Sequence, residues 1–230
     1  MRYLENEYFL LTLTFGVFYL TRQLQKKTGW VLLNPILLTI AFLIGFLKLT
    51  GISYETYDRG GHLINFWLKA AVVALGVPLY LHLETIRKQI LPILVSELAG
   101  CVVGIVSVAG LAKLMGASKA IIYSIVPKSV TTPIAMEVAQ SLGGIPSLTA
   151  AVVVCVGLLG GILGFKAMQL TRIESPMAQG LSMGTAAHAV GTSAAMDISR
   201  KYGAFASLGL ILNGILTAIL TPTILRMMGI

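Results

Sequence analysis

Pro127-Lys128-Ser129-Val130-Thr131-Thr132-Pro133-Ile134-Ala135-Met136-Glu137 is the longest polar interruption in the apolar second half of this 230-residue chain, and it returns further on. Laid without gaps, residues 127–148 meet residues 187–208, which begin Ala187-His188-Ala189-Val190-Gly191-Thr192-Ser193-Ala194-Ala195-Met196-Asp197. Val130, Thr132, Ala135, Met136, Gly143, Ser147 and Leu148 recur as Val190, Thr192, Ala195, Met196, Gly203, Ser207 and Leu208. Glu137 becomes Asp197 and Val138 becomes Ile198. Apolar sequences share residues by accident, but a gapless match that also keeps polar and glycine positions points to an internal duplication.

Each copy contains a helix start. Thr132 followed by Pro133 predicts an N-cap with proline at the first helical position, and Thr192-Ser193 offers the same capping chemistry without the proline. Residues 127–131 and 187–191 before those starts are expected to be non-helical. A broken helix in a membrane is tolerated only where protein or a watery cavity satisfies its freed backbone groups. Two half-helix N-termini with hydroxyls and free N–H groups form an anion-binding arrangement. The alternative is a pair of kinked helices packed through small residues. The duplication favours a site, because transporter repeats carry broken helices where they bind substrate.

The chain is 56% hydrophobic and 11% charged, with a mean hydropathy of +0.86. A soluble domain has about a quarter of its residues charged, so the composition is that of a polytopic membrane protein. Glu5 and Glu7 stand where a cleavable signal peptide would be basic, and none is expected. The net charge of +8 is scattered through short loops, so it concerns topology and lipid and not nucleic acid. Cys101 and Cys155 lie in apolar runs and are expected to pack as small residues. No metal-ligand cluster, nucleophile elbow or phosphate loop occurs, so neither an enzyme nor a cofactor is expected.

Six apolar runs are read as spans, the first of them short: residues 8–20, 31–49, 63–83, 90–115, 147–166 and 204–225. Residues 51–61 read as a polar loop, and Gly76-Val77-Pro78 should bend the third run. Residues 118–126 and 179–187 are too short to cross, since a span needs about 20 residues. If each short run forms a hairpin with the half-helix after it and returns to its own side, the inside holds Arg22, Lys26, Lys27, Arg87, Lys88, Lys166, Arg172, Arg200 and Lys201. The outside then holds Arg2, Arg59, Lys113, Lys119 and Arg226, nine against five with the N-terminus outside. Full crossing would move Lys166 and Arg172 and leave seven against seven. The positive-inside rule thus favours re-entry. The expected fold is all-α: about six full spans plus two re-entrant or broken helical hairpins in an inverted repeat, whose tips meet near the midplane.

Pro127-Lys128-Ser129-Val130-Thr131-Thr132-Pro133-Ile134-Ala135-Met136 and Gly184-Thr185-Ala186-Ala187-His188-Ala189-Val190-Gly191-Thr192 resemble the LrgB/CidB family. Leu33-Asn34-Pro35, Leu49-Thr50-Gly51-Ile52-Ser53-Tyr54 and Gly143-Gly144-Ile145-Pro146 are similar to it too, so the resemblance covers nearly the whole chain. It implies one of two functions. The bacterial family is described as holin- or antiholin-like, controlling murein hydrolase activity and lysis with a small LrgA/CidA-type membrane partner. Relatives are also described as carriers of small monocarboxylates, among them the plastid glycolate/glycerate translocator, which fuses both halves. An LrgA-like extension is missing here, so the resemblance implies a separate partner. The expected reading is a carrier of a small organic anion such as pyruvate or glycolate in the bacterial cytoplasmic (inner) membrane, with the holin-like regulator as the alternative.

Residues 1–116 are then expected to form a scaffold that oligomerises as a dimer or larger, and residues 117–230 a transport core. Lys128 and His188 occupy matching positions at the two breaks. They read as a cationic pair for a substrate carboxylate, or as a snorkelling lysine and a packed histidine. Ser129, Thr131, Thr132, Thr192 and Ser193 complete the expected substrate-binding set, although the hydroxyls would also serve as caps. Glu97, Glu137 and Asp197 are candidates for binding a proton or coupling ion, a carboxylate in a span being functional by default. Pairing with a nearby Arg or Lys, Lys88 in the case of Glu97, is the other reading. Gly157, Gly160, Gly161 and Gly164 predict close helix packing.

Overall fold

The helices begin and end where the sequence supplies caps. Asn6 accepts from the backbone N–H groups of Tyr8 and Phe9 to start α1 (Glu7–Thr28), and Asn34 accepts from Ile36 and Leu37 to start α2 (Pro35–Thr50). Gly29 and Gly51 close these helices in the left-handed conformation that glycine adopts without steric cost. The computed structural model describes residues 5–29, 33–74, 76–81 and 83–230. The expected start of the second run at Val31, and Arg2 of the charge count, lie outside them. Residues 51–61 are not a loop: α3 (Tyr54–Ala74) begins within them. The expected third run also includes positions 75 and 82, outside the described residues, and continues as α4 (Gly76–Leu81) and α5 (Leu83–Lys88).

Two compact units result, Met1–Ala74 and Leu75–Ile230. In the first, α1 packs on α2 and α3, with Thr21 and Thr39 hydroxyls 3.1 Å apart and Thr14 2.9 Å from the Tyr57 hydroxyl. The expected boundary after residue 116 separates a scaffold from a transport core, a division of roles and not of compact units. Within the second unit α6 (Ile90–Leu114) buries Ile93, Glu97, Cys101, Ile105, Ala109 and Ala112 as one stripe of nearly four-residue spacing. In the second unit that stripe meets α11 (Arg200–Met227), Ile93 packing with Phe205 and Leu208, and Cys101 facing Thr217.

Between α6 and α11 lie α7 (Lys119–Ile125), α8 (Thr132–Leu142), α9 (Pro146–Leu170) and α10 (Pro176–Ile198). The first break spans residues 126–131, one residue more than the expected 127–131. Its two arms fold back: Ser124 of α7 accepts from the Ile145 N–H at 2.7 Å, just beyond the end of α8. The second break is narrower than expected, confined to Ala187 and His188. It is nonetheless sharp. A Cβ on Gly191 would collide with the Met183 carbonyl, yet eight residues of straight helix would separate them by about 12 Å. The first arm of α10 runs parallel to α11, Gly180 against Tyr202 and Phe205, then Gly184 against Ala206 and Leu210. The second arm runs antiparallel, Thr192 reaching Ala206 and Met196 reaching Gly203.

Three described helices, α6, α9 and α11, are long and apolar enough to cross a membrane. They expose Leu94, Val103, Leu159, Leu163, Ile215 and Ile219, large apolar side chains that suit lipid. This accounts for three of about six expected spans; α2 is apolar but has 16 residues. The protein is an all-helical membrane protein, with no strand among the described residues.

Candidate functional site

The second unit holds a half-open cavity of about 490 Å³ bordered by α6, the first break, the first arm of α10 and α11. Glu97 and Cys101 enter from α6, Lys128 and Ser129 from the first break, Thr185 from the end of the first arm of α10, and Asn213 and Thr217 from α11. Its volume lies within the range of about 300–1,000 Å³ typical of small-molecule sites.

Asn213 ties the walls together. It is 1% exposed, and its side-chain amide donates to the Ser129 carbonyl at 3.1 Å and to the Thr185 carbonyl at 3.0 Å. Both carbonyls lie at interruptions of the helical ladder, where a membrane chain must find another partner for its backbone. The two breaks thus converge on one α11 side chain. Thr217, one turn on, contacts the Asn213 Oδ1 at 3.4 Å and the Cys101 sulfur at 3.5 Å.

Glu97 is 2% exposed. The Thr185 hydroxyl lies 2.7 Å from each of its carboxyl oxygens and 2.8 Å from the Leu181 carbonyl. Gly209 leaves the room for this: a Cβ there would come 3.1 Å from Glu97 Oε1 and 3.0 Å from Thr185 Oγ1. The Lys128 ammonium donates to Ser129 Oγ at 2.9 Å. Among the described residues Glu97 makes no ion pair, so the expected pairing with Lys88, an exposed residue of α5, is not formed.

The expected site residues divide accordingly. Lys128, Ser129 and Glu97 share the cavity. Thr131 and Thr132 do not line it, and the N-cap of α8 is Thr131, one residue earlier than expected, with Thr132 and Pro133 in the first turn. His188 is not paired with Lys128: its imidazole is buried, with Nε2 2.9 Å from the Val153 carbonyl. Thr192 is no cap but sits one turn past the break, donating back to the His188 carbonyl at 2.9 Å, and Ser193 beside it is exposed. A β-hydroxyl at that offset satisfies a local carbonyl and is spent there. Glu137 and Asp197 are exposed on the outer halves of the arms, away from the cavity lining. The second break therefore offers the cavity the carbonyl end of its first arm, not the N–H end of its second.

The glycines of α9 behave as expected. Gly157 faces His188, Gly160 faces Ala187, Gly161 faces Val190 and Gly164 faces Met183, so α9 closes directly over the second break. Thr185, Asn213 and Thr217 were not among the expected residues. Gly209, Asn213, Thr217 and Thr221, four residues apart on α11, carried a signal for them as a small and polar stripe in an apolar span. Among the described residues there is no cluster able to hold a metal ion, and Cys101 and Cys155 are free.

A profile of the LrgB-like family matches residues 14–227, nearly the entire chain. The chain belongs to the LrgB-like family. LrgB-like relatives include Holin-like protein CidB of Staphylococcus epidermidis, 36% identical over 96% of this chain and 98% of its own length. Holin-like protein CidB of Staphylococcus aureus is 36% identical over 94% of each chain. Protein YwbG of Bacillus subtilis is 36% identical over 95% of this chain and 97% of its own. No solved structure matches this LrgB-like chain.

Proposed function

We propose that the chain is a secondary transporter of small monocarboxylates of the pyruvate or glycolate kind, working by alternating access. The observation that carries this reading is the cavity shared by both broken hairpins, with an ammonium group, Lys128, on its wall. Lys128 is half-buried; an ammonium withdrawn from water within a membrane is costly unless an anion meets it, and a substrate carboxylate supplies that anion. Lys128 receives the carboxylate and Ser129, already its hydrogen-bond partner, adds a hydroxyl.

The chain directions support the inverted-repeat part of the proposal. Along α9 the contacts run Gly157–His188, Gly160–Ala187, Gly164–Met183, so α9 is antiparallel to the first arm of α10. That arm is parallel to α11. The long helices that follow the two hairpins therefore point in opposite directions, as inverted-topology repeats require. In this reading the hairpins are re-entrant, and α1, α2 and the stretch from α3 through α4 supply the spans beyond α6, α9 and α11. The chain sits in the bacterial cytoplasmic membrane, self-associates through its first-half helices and works with an LrgA/CidA-type partner.

A second reading is a holin- or antiholin-like regulator of murein hydrolase activity and lysis without a small-molecule substrate. The names of the staphylococcal relatives favour it. Proteoliposomes that contain the full chain, with and without the partner, separate the two. A transporter gives saturable uptake of labelled pyruvate, lactate or glycolate while retaining an entrapped dextran. A lesion releases dextran and shows no saturation, and that result would replace the transport reading.

A further inference from the structure

We propose that Glu97 is the proton-binding site of the cavity, and that it takes up one proton with each anion carried. The inference rests on the transport reading for its role and on local geometry for its existence. The Thr185 hydroxyl has one hydrogen, yet it stands within 2.8 Å of three acceptors: both Glu97 oxygens and the Leu181 carbonyl. Two hydrogen placements fit these contacts, one for each protonation state of Glu97. With Glu97 ionised, Thr185 donates to the carboxylate. With Glu97 protonated, the carboxyl O–H donates to Thr185 Oγ1, and Thr185 turns its own hydrogen to Leu181. Both protonation states are thus provided with partners in a place where an unpartnered polar group is expensive.

The charges around Glu97 are few. The first arm of α10, which faces it, has no titratable side chain over Pro176–Ala187, and α11 has none from Gly209 to Thr217. His188 is turned onto Val153. On α6 itself the neighbouring titratable group is Cys101, one turn along, and Glu84, Arg87 and Lys88 of α5 are exposed. Among the described residues that leaves Lys128 as the cation across the cavity. The empty cavity is then neutral with Glu97 ionised and Lys128 charged. Adding a carboxylate alone would leave it negative; adding a carboxylate and a proton keeps it neutral. Moving a net charge through the low-dielectric interior is disfavoured, so electroneutral loading is the favoured cycle. The proton comes from water on one face, rests on a Glu97 oxygen, and leaves to water on the other. No bond within the substrate changes.

Thr185 also connects this proton to the fold. Its hydroxyl holds Glu97, and its carbonyl is held by Asn213, which holds Ser129 beside Lys128. The proton site, the second break and the anion site are joined through three side chains.

Infrared difference spectroscopy of the full chain in detergent, titrated without any substrate, tests the site itself. A carboxylic acid C=O band that appears on acidification should vanish in Glu97→Gln, persist in Glu137→Gln, and reappear at a shifted frequency in Glu97→Asp. The same band in Glu97→Gln as in the parent overturns the proposal, and the Asp variant shows that loss of the band is not loss of the fold. Proteoliposomes with labelled pyruvate test the coupling. Glu97→Gln should still exchange internal for external pyruvate, but its accumulation ratio under an imposed pH gradient should fall to one. Accumulation equal to the parent's overturns the coupling. A parent protein that shows the Glu97 band but carries no pyruvate would end the transport reading and leave the proton site standing.

Discussion

The imidazole of His188 lies 2.9 Å from the Val153 carbonyl of α9, which holds the second break against the glycine face of that helix. The backbone of His188 stands at φ 42°, ψ −133°, a conformation costly for any residue with a Cβ. Such strain persists only where the surroundings over-determine it. Here they are the Val153 bond, the Thr192 hydroxyl on the His188 carbonyl, and Gly157, where a Cβ would stand 2.6 Å from the ring.

Gly157→Ala should therefore destabilise the protein by about 1–3 kcal/mol through overpacking against the ring. Combined with His188→Ala, which removes the ring, the loss should be clearly less than the sum of the single losses. Thermal unfolding of the four proteins in detergent provides the measurement. Strict additivity would mean that Gly157 and His188 do not meet.

Asn213→Leu should be more damaging than its volume change implies. It withdraws the donor from two backbone carbonyls, and each orphaned acceptor costs about 1–3 kcal/mol. Thr217→Val removes a longer contact of 3.4 Å and should cost well under half as much. If the two variants melt together, the breaks do not depend on Asn213.

What the sequence revealed and what it hid follow from the physics of each element. The bounds of α6 were legible, an expected run of 90–115 against Ile90–Leu114, because hydropathy and a glycine stop coincide there. Both breaks were legible from the repeat. The direction of side chains was not. Lys128 and His188 are equivalent in sequence, yet one enters the cavity and the other α9, because the four glycines of α9 approach only the second break. Thr192 looked like a cap because a hydroxyl before a helix usually is one, but the helix had already restarted at Ala189. Asn213 was hidden because one polar residue in an apolar span has no periodicity of its own; only its four-residue relation to Gly209, Thr217 and Thr221 marks a face.

Lys128→Ala should weaken pyruvate binding by more than tenfold, since a charge-assisted contact contributes roughly 1.5–3 kcal/mol. Lys128→Arg keeps the charge with a different shape and should fall between the two. Ser129→Ala removes the oxygen that holds the ammonium at 2.9 Å and should weaken binding less than loss of the charge. Thr132→Val, outside the cavity lining, should leave binding as in the parent. Equilibrium binding of labelled pyruvate to the solubilised variants provides the comparison. Parent-like affinity in Lys128→Ala would make the first break a structural feature and turn the weight of argument to the holin-like reading.

The topology has its own test, and the structure decides where the probes go. A cysteine at Gly144 is unsuitable, because a Cβ there would lie 3.0 Å from the backbone of Tyr123 and Ser124. Gln140, exposed near the end of α8, and Lys201, exposed at the start of α11, report the same two ends of the repeats without that clash. Cys101 and Cys155 are first replaced by Ala; Cys101 is buried and Cys155 exposed on an apolar helix, so both replacements should be tolerated. If the hairpins are re-entrant and inverted, a membrane-impermeant maleimide should label Gln140→Cys from outside the cell. It should label Lys201→Cys only after the inner face is opened. The nine-to-five distribution of Lys and Arg favours this orientation. Labelling of both positions from one face would make the two copies parallel, and an alternating-access cycle built on their inversion would have no basis.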